Sequence, residues 1–376
     1  MSELIQNERS AQLDLRSILL SSVAALAVVA FMCSESAAAQ AGEGENQPTV
    51  WVELGGQLQR MSGQDKYFSP KFLDDYAGSP GLSPTKPGSA LTLPHYGKGF
   101  EGKITLAPQD SDWRLSGSIV YGRSNGKTHM HQSAIKTIPT GYYYHGNPLR
   151  DPLGAKQFSD VETKSSSSYM LIDFKVGKDV GLGAVGRDAT STLSFGLRTA
   201  VFTAKADANI KARPEIHLHG FLPNKYWTNF YASAQTERSF RGIGPSLSWD
   251  GSAAVLGSAE NGLSLDWGLS GAVLFGRQKV DTRHQTSARE MYSYFYFNYS
   301  EGYKNAPPRK ARKHSVVVPN LGGFVGASLR RANAKVSIGY RGDFFFGAMD
   351  TGLDSRKAAN TSFHGPFATI SIGLGG

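Results

Sequence analysis

The feature that most constrains the fold is an alternation of apolar and polar residues with a period of two, repeated in ten segments of the chain. Between Leu263 and Phe275, for example, the odd positions are mostly large and apolar and the even positions mostly small or polar. This period is that of a β-strand with one apolar and one polar face. The segments are residues 50–59, 100–106, 113–121, 170–176, 192–201, 243–250, 263–275, 317–330, 335–346 and 368–374.

These segments allow two environments. A soluble β-sandwich shows the same alternation. In lipid, however, every backbone N–H and C=O must be paired, and after residue 40 no run of about 18 apolar residues is present to form a spanning helix. If the chain crosses a membrane, it must therefore do so as a closed barrel.

The connections between the segments favour the barrel, because long and short ones alternate. The long connections are residues 61–96, 124–166, roughly 205–237 and 278–315, and the short ones lie near residues 108–111, 181–188, 261–262 and 331–333. Outer-membrane barrels have long surface loops on one side and short periplasmic turns on the other. The sequence therefore predicts an all-β fold, a single antiparallel transmembrane β-barrel of about ten strands (range about 8–12) in the bacterial outer membrane.

The N-terminal residues predict export. Arg9 and Arg16 precede the apolar run from Ile18 to Met32, which is followed by small residues up to Ala41. This order is that of a cleaved signal peptide, residues 1–39, leaving residues 40–376 as the barrel. The one cysteine, Cys33, lies in the signal segment, which excludes a disulfide framework and a cysteine-based zinc site in the barrel.

Charge and motifs exclude several function classes. The 40 Lys and Arg against 31 Asp and Glu are spread along the chain, so nucleic acid is not an expected partner. No G-x-S-x-G, H-E-x-x-H or phosphate-binding glycine loop is present. We expect no enzyme activity and no cofactor, with a rim hydrolase built from Asp350, Asp354 and His364 as a weak alternative.

The inward face of the predicted barrel carries both signs of charge. Such residues either line a water-filled pore or pair across a closed lumen. Inward glycine and serine favour open space, at Gly55, Gly99, Ser116, Ser118, Gly196, Gly244, Gly268 and Ser270. The predicted pore-lining residues are Glu53, Glu101, Lys103, Arg114, Asp173, Lys175, Arg198, Asp266, Lys335, Arg341 and Asp343.

Aromatic residues near segment ends predict interfacial girdles, with Trp51, Trp113, Tyr121, Tyr169, Trp249, Trp267 and Phe367 as candidates. The stretch Tyr292 to Tyr303 and the basic run after it predict a surface-binding loop or a solvated, self-packed one. Its candidate residues are Tyr292, Tyr294, Tyr296, Arg309, Lys310, Arg312 and Lys313. The pairs His129 with His131 and His217 with His219 have no third ligand spaced with them, so no metal site is expected.

The segment from Phe240 to Trp249, FRGIGPSLSW, resembles the F-x-G-[IVF]-G-P segment of the Legionella-type major outer-membrane protein family. The opening Val52 to Gly56 and the closing Gly365-Pro366-Phe367 are similar in character. The resemblance covers most of the chain after the signal segment and implies a porin-like, surface-exposed outer-membrane barrel. The C-terminal Leu374-Gly375-Gly376 departs from the aromatic ending usual for such strands.

Two functions are therefore predicted. The first is a porin-like channel, narrow and mildly anion-preferring, for passive diffusion of small solutes or ions. The alternative is a plugged barrel that anchors long binding loops at the surface. The expected partners are outer-membrane lipid, lipopolysaccharide and small solutes or ions, and the sequence does not give the oligomeric state.

Overall fold

The fold is a ring of ten antiparallel strands in a computed structural model of the chain. The strands are β1 Val50–Ser62, β2 Tyr96–Leu106, β3 Trp113–Ile135, β4 Lys156–Asp179, β5 Thr190–Arg213, β6 Asn224–Gly257, β7 Asn261–Tyr294, β8 Lys310–Arg331, β9 Ala334–Asp350 and β10 Ala358–Leu374. Each strand pairs with the next along the chain, and β10 pairs with β1, so the ring is closed. The all-β barrel of about ten strands is confirmed.

The structure describes residues 49–63, 67–68, 90–91, 96–108, 111–135, 143–144, 147–148, 156–181, 189–213, 224–257, 261–294, 297–331 and 333–374. A further strand, Phe297–Asn305, pairs with the end of β7. Two short hairpins join Tyr67–Phe68 to Ala90–Leu91 and Tyr143–Tyr144 to Asn147–Pro148. The signal segment lies outside the described residues. Among the described residues, no helix is long and apolar enough to cross a membrane.

The strands are strongly staggered around the ring. Following directly paired residues from Arg277 around all ten strands returns to β7 at Leu265, a displacement of 277 − 265 = 12 residues. Stagger and strand number together fix the tilt of the strands, here about 40° as in other closed barrels. Side chains from strands far apart in the sequence therefore meet at one level of the lumen.

The strands are much longer on the side of the long connections. The segments predicted as loops at residues 124–166, 205–237 and 278–315 are largely strand, with β6 and β7 each reaching 34 residues. Side chains in these parts of the strands still alternate between two faces, but both faces carry mostly polar or small residues, as at Ala204, Ala206 and Ala208. Because the two faces differ little in polarity, the sequence did not predict these strands. A sheet of six strands, β3 to β8, thus rises beyond the rest of the barrel.

A belt of exposed apolar side chains surrounds the barrel near its short-turn end. On β7 the outward positions from Leu263 to Phe275 are apolar or glycine, with Leu269 56% exposed, and at Arg277 they become charged. Similar exposed residues occur on every barrel strand, including Leu54, Phe100, Leu115, Phe174, Phe195, Leu247, Val325, Ile338 and Ile370. Exposed apolar side chains on all sides of a closed barrel are typical of a lipid-facing surface.

The predicted aromatic girdles are only partly outward. Trp113, Tyr121, Trp249 and Trp267 occupy positions in register with the belt residues, whereas three other candidates lie on the inward face. Trp51 lies under Arg330, Tyr169 is 2% exposed inside the barrel, and Phe367 lies beside Arg341. Trp51 lies near the start of β1 as predicted, but Tyr169 lies in the middle of β4, and strand parity places all three side chains in the lumen.

The belt predicts a cost for charge at its mid-height. We expect Leu269→Arg to destabilise the protein in a lipid bilayer by about 2–4 kcal/mol, because a midplane guanidinium loses its hydration. Denaturant unfolding in vesicles, followed by tryptophan fluorescence, measures this. Gln235→Arg, at an exposed outward position of β6 beyond the belt, is the matched control and should have little effect. Equal losses for both variants would contradict the lipid-facing assignment.

Candidate functional site

The candidate site is the barrel interior. All eleven residues predicted to line a pore lie on the inward-facing register of their strands. Most of them are buried or half-buried, while Lys103 is exposed toward the short-turn end. The alternation of side chains along each strand therefore predicted their inward position correctly. Whether they line a pore depends on what fills the lumen.

One group of interior charges surrounds Arg198. Its Nε and Nη2 donate to the two carboxylate oxygens of Asp173, each at 2.8 Å, and its Nη1 donates to Asn320 and, at 3.4 Å, to Asp343. Lys175 Nζ lies 3.5 Å from Asp173. Since Asp173, Arg198, Asn320 and Asp343 lie on β4, β5, β8 and β9, the ion pairs join opposite walls of the barrel.

A second group surrounds Arg341 on β9. Its guanidinium is bidentate to Glu101 on β2 and lies 4.9 Å from the ring centroid of Phe367 and 5.9 Å from that of Phe324. Nearer the short turns, three further contacts link inward side chains, namely Lys335 with Asp266 at 2.6 Å, Ser371 with Glu53 at 3.0 Å and Arg114 with Asp179 at 3.7 Å. Arg198, Arg341 and Lys335 therefore bind carboxylates on non-adjacent strands, whereas Glu53 and Arg114 have partners on a neighbouring strand.

The inward glycines do not create open space, contrary to the expectation from the sequence. A Cβ at Gly268 would collide with the ring of Phe324, and one at Gly99 with Gln57. At Gly196 and Gly244 a Cβ would meet backbone of the adjacent strand, and at Gly55 the side chain of Thr369. The space beside each glycine is occupied by larger side chains or by the backbone of a neighbouring strand. The alternation and composition of the sequence could not show this.

An apolar layer lies next to the ion pairs, on the side of the long strands. Phe202 contacts Phe345 at a centroid distance of 4.6 Å, Phe363 at 5.1 Å and Phe240 at 5.5 Å, and Tyr169 stacks on Phe363 at 4.2 Å. These rings are 0–2% exposed, and Met61, Leu274, Val318, Ala348 and Met349 pack with them. Buried rings from β4, β5, β6, β9 and β10 thus meet inside the barrel.

The segment from Gly347 to Lys357, which comprises the last residues of β9 and its connection to β10, folds over this layer. Four inward side chains donate to its carbonyl groups: Gln278 to Gly347, Arg238 to Thr351, Thr282 to Leu353, and Arg312 to Gly352 and Leu353. We call it the mouth segment, because it occupies the lumen where the long strands begin to rise.

Asp350 fixes the shape of the mouth segment. Its Oδ1 accepts hydrogen bonds from the backbone N–H groups of Gly352 and Lys357, and its Oδ2 accepts from Arg312. Burial alone would raise the pKa of Asp350, but these donors together lower it below its ordinary value. Burial also lowers the pKa of Arg238 to about 10, so it is still charged at neutral pH.

Asp354, also in the mouth segment, binds His284 Nε2 and Lys310 Nζ at 3.1 and 3.2 Å. The hydrogen bond from His284, and secondarily that from Lys310, lower the pKa of Asp354. His284 comes from a part of β7 that sequence analysis assigned to a loop. The rim trio considered from the sequence has separate partners, since His364 bonds Tyr340 on the outer face while Asp350 lies inside.

The predicted surface-binding residues are mostly engaged within the chain. Arg309 is bidentate to Asp281, Lys310 binds Asp354, and Arg312 points inward to the mouth segment rather than outward as predicted. Lys313 is exposed on the outer face of β8. Tyr292 and Tyr294 belong to β7 instead of a loop, and Tyr296 lies outside the described residues.

The predicted histidine pairs do not form a metal site in the described part of the chain. His129 and His131 lie on the outer face of β3, where both approach Asp160 of β4. No group of three or more His, Cys, Asp or Glu side chains among the described residues could hold a metal ion. His217 and His219 lie outside the described residues.

A closed antiparallel barrel with an exposed apolar belt and a polar, paired interior is now established. The chain is an outer-membrane β-barrel protein. No known family model and no curated protein matches its sequence.

Solved structures similar to this protein are outer-membrane proteins. The outer-membrane protease OmpT from Escherichia coli has 10% identity and a TM-score of 0.44, over 89% of this chain and 100% of its own. The translocator domain of autotransporter NalP from Neisseria meningitidis has 10% identity and a TM-score of 0.21, over 94% and 98%. A mutant of the monoaromatic hydrocarbon channel TodX has 9% identity and a TM-score of 0.22, over 87% and 91%. At these values the similarities say nothing about the activity of this chain.

The Arg198 network predicts a specific stability effect. Arg198→Met leaves Asp173 and Asp343 buried without their shared cation, so we expect a loss of about 3–5 kcal/mol in the free energy of unfolding. Denaturant unfolding in vesicles measures it. Lys103→Met, which removes an inward but exposed lysine, is the control and should change stability little. If both variants unfold at the same denaturant concentration, the network is not a main source of stability.

Proposed function

We propose that this protein is a closed barrel that anchors a binding surface on the outside of the cell, rather than a diffusion channel. The observation that carries the proposal is the filled lumen. Paired charges around Arg198 and Arg341, the buried rings around Phe202 and the mouth segment follow one another along the barrel axis. A ten-stranded barrel lies close to the eight-stranded size at which side chains fill the interior.

The long strands supply the surface. From Phe275, at the upper limit of the belt on β7, to Tyr294 the strand continues for 19 residues, or roughly 60 Å at about 3.3 Å per residue. On the outer face of this wall, charged side chains form cross-strand pairs such as Lys205 with Glu237 at 3.4 Å and Lys127 with Glu162 at 3.1 Å. A rigid, solvated sheet of this kind suits contact with a partner.

At the tip of the wall, one sheet edge has no partner strand among the residues that the structure describes. Within the described residues, the strand Phe297–Asn305 pairs only with β7, through Thr286 to Tyr294. Its other edge therefore presents backbone donors and acceptors to an extended segment of another chain. Below it lies a cavity of about 310 Å³ lined by Arg283, His284, Gln285, Ala306, Pro307, Pro308 and Arg309. We propose that this edge and cavity bind an extended segment of a surface partner.

Two expectations from the sequence stay predictions. Passive diffusion of solutes remains the alternative function, to be judged by the conductance of the protein. Membership of the Legionella-type family rests on the segment from Phe240 to Trp249. In the structure, Phe240 of that segment is part of the buried apolar layer, and a Cβ at Gly242 would collide with its ring.

Because the lumen is filled, we expect the protein to conduct no ions. The full-length protein, purified from membranes and reconstituted in planar bilayers, should show no discrete channel openings. Phe202→Ala/Phe345→Ala should admit a small conductance, because both rings lie in the apolar layer. The outward pair Phe195→Ala/Phe275→Ala removes rings of the same size from the lipid face and should stay silent. Frequent wild-type openings with anion preference would instead support the diffusion channel.

The binding surface predicts a loss of attachment. Ser287 and Lys304 are directly paired, so an Asn-Gly turn between them replaces residues 288–303 without disturbing the strands below. Bacteria displaying this variant should attach to other cells, bacterial or host, at the level of bacteria without the protein. Shortening residues 136–155, in another long connection, is the control. Unchanged attachment of the hairpin variant, at equal surface amounts, would count against the proposal.

A further inference from the structure

Directly above the apolar belt, the outer faces of β6, β7 and β8 carry a compact group of cations. Arg241 is directly paired with Arg277 across β6 and β7, and in the next outward row Lys279 is directly paired with Lys313 across β7 and β8. All four side chains are exposed. Cβ atoms of directly paired residues lie about 4.5–5.5 Å apart, so the two rows bring four positive charges together. We call these residues the basic rows.

The basic rows lack counter-charges from the described part of the chain. The nearest outward acids are Glu237 and Asp281, one row further from the belt. Glu237 is paired with Lys205 and Asp281 with Arg309. Like charges placed directly opposite each other in a sheet destabilise it. A bound external anion would remove this repulsion.

The row beneath the cations is apolar. Ile243, Phe275 and Val317 are directly paired across the same three strands and are 53%, 57% and 57% exposed. This row is the upper limit of the belt on β7, since the next outward residue is Arg277. A ligand that meets both surfaces must have acyl chains below and anionic groups immediately above them.

We propose that the basic rows bind the phosphorylated head of lipopolysaccharide in the outer leaflet. Its acyl chains lie along Ile243, Phe275 and Val317, and its phosphates lie between Arg241, Arg277, Lys279 and Lys313. Arginine and lysine donate charge-assisted hydrogen bonds to phosphate oxygens, and an anion between like-charged pairs removes their repulsion. The site is on the outer wall of the barrel and is independent of the partner surface at the tip.

Three other exposed lysines on the outer face already have carboxylate partners. Lys127 and Lys164 both lie within 3.1–3.5 Å of Glu162, and Lys205 is paired with Glu237. These lysines lie further from the belt and are already neutralised. Together with Lys211 they supply a control that removes the same number of charges from the same face.

The test uses full-length protein purified in zwitterionic detergent and freed of bound lipid. The probes are purified lipopolysaccharide and the same lipopolysaccharide after enzymatic dephosphorylation, and binding is titrated by the shift in melting temperature and by native gel mobility. Arg241→Ser/Arg277→Ser/Lys279→Ser/Lys313→Ser should weaken binding of the phosphorylated form by roughly 100-fold or more, since each cation contributes about 1 kcal/mol at an anionic surface. Without lipopolysaccharide, this variant should melt no lower than wild type.

Two further variants separate the site from general charge and from folding. Lys127→Ser/Lys164→Ser/Lys205→Ser/Lys211→Ser should bind as wild type, and Arg241→Lys/Arg277→Lys/Lys279→Arg/Lys313→Arg, which keeps all four charges, should retain most of the affinity. Wild type should bind dephosphorylated lipopolysaccharide much more weakly. Equal binding of the two lipids by wild type, or wild-type affinity in the serine variant of the basic rows, would overturn the proposal.

Discussion

The structure depends on one constraint, which is that a ring of strands in lipid must satisfy all its polar groups within itself. Ring closure between β1 and β10 pairs the backbone. The inward charges face the same requirement, because an unpaired ion in a low-dielectric interior costs several kcal/mol. Arg198 and Arg341 meet it by binding carboxylates from other strands. The polar interior and the apolar exterior are therefore two results of the same environment.

Period two predicted the belt parts of the strands and the inward position of residues such as Asp173, Arg198 and Asp343, and the alternation of long and short connections predicted the ring. It did not predict that they touch, because Arg198 lies 25 positions from Asp173 and 145 from Asp343 in the sequence. The stagger of 12 residues around the ring brings them to one level, and stagger is a property of the whole register. The inward glycines were misinterpreted for the same reason, since their space is filled from neighbouring strands.

The barrel has two parts with different physical chemistry. In the belt, apolar contrast marks the strands, and the sequence predicts them well. Beyond Arg277 the outward positions become charged, while the inward positions are mostly small residues such as Ala208, Ala232 and Ala234, which are buried with Ile210 and Phe230. The apolar contrast between the two faces is therefore weak, and the sequence predicted loops there. The contacts that sequence analysis missed lie here, including His284 with Asp354 and the donors that hold the mouth segment. Ion pairs between neighbouring strands can be recognised only when the pairing of the strands is known.

The mouth segment also constrains how the barrel is assembled. It is held from inside by Arg238, Gln278, Thr282 and Arg312, and it precedes β10, the strand that closes the ring against β1. Its residues from Asp354 to Lys357 stay exposed at the mouth, while Asp350 is buried inside. The hairpin that closes the ring thus also supplies the segment that fills its mouth, so closure and filling depend on one stretch of chain.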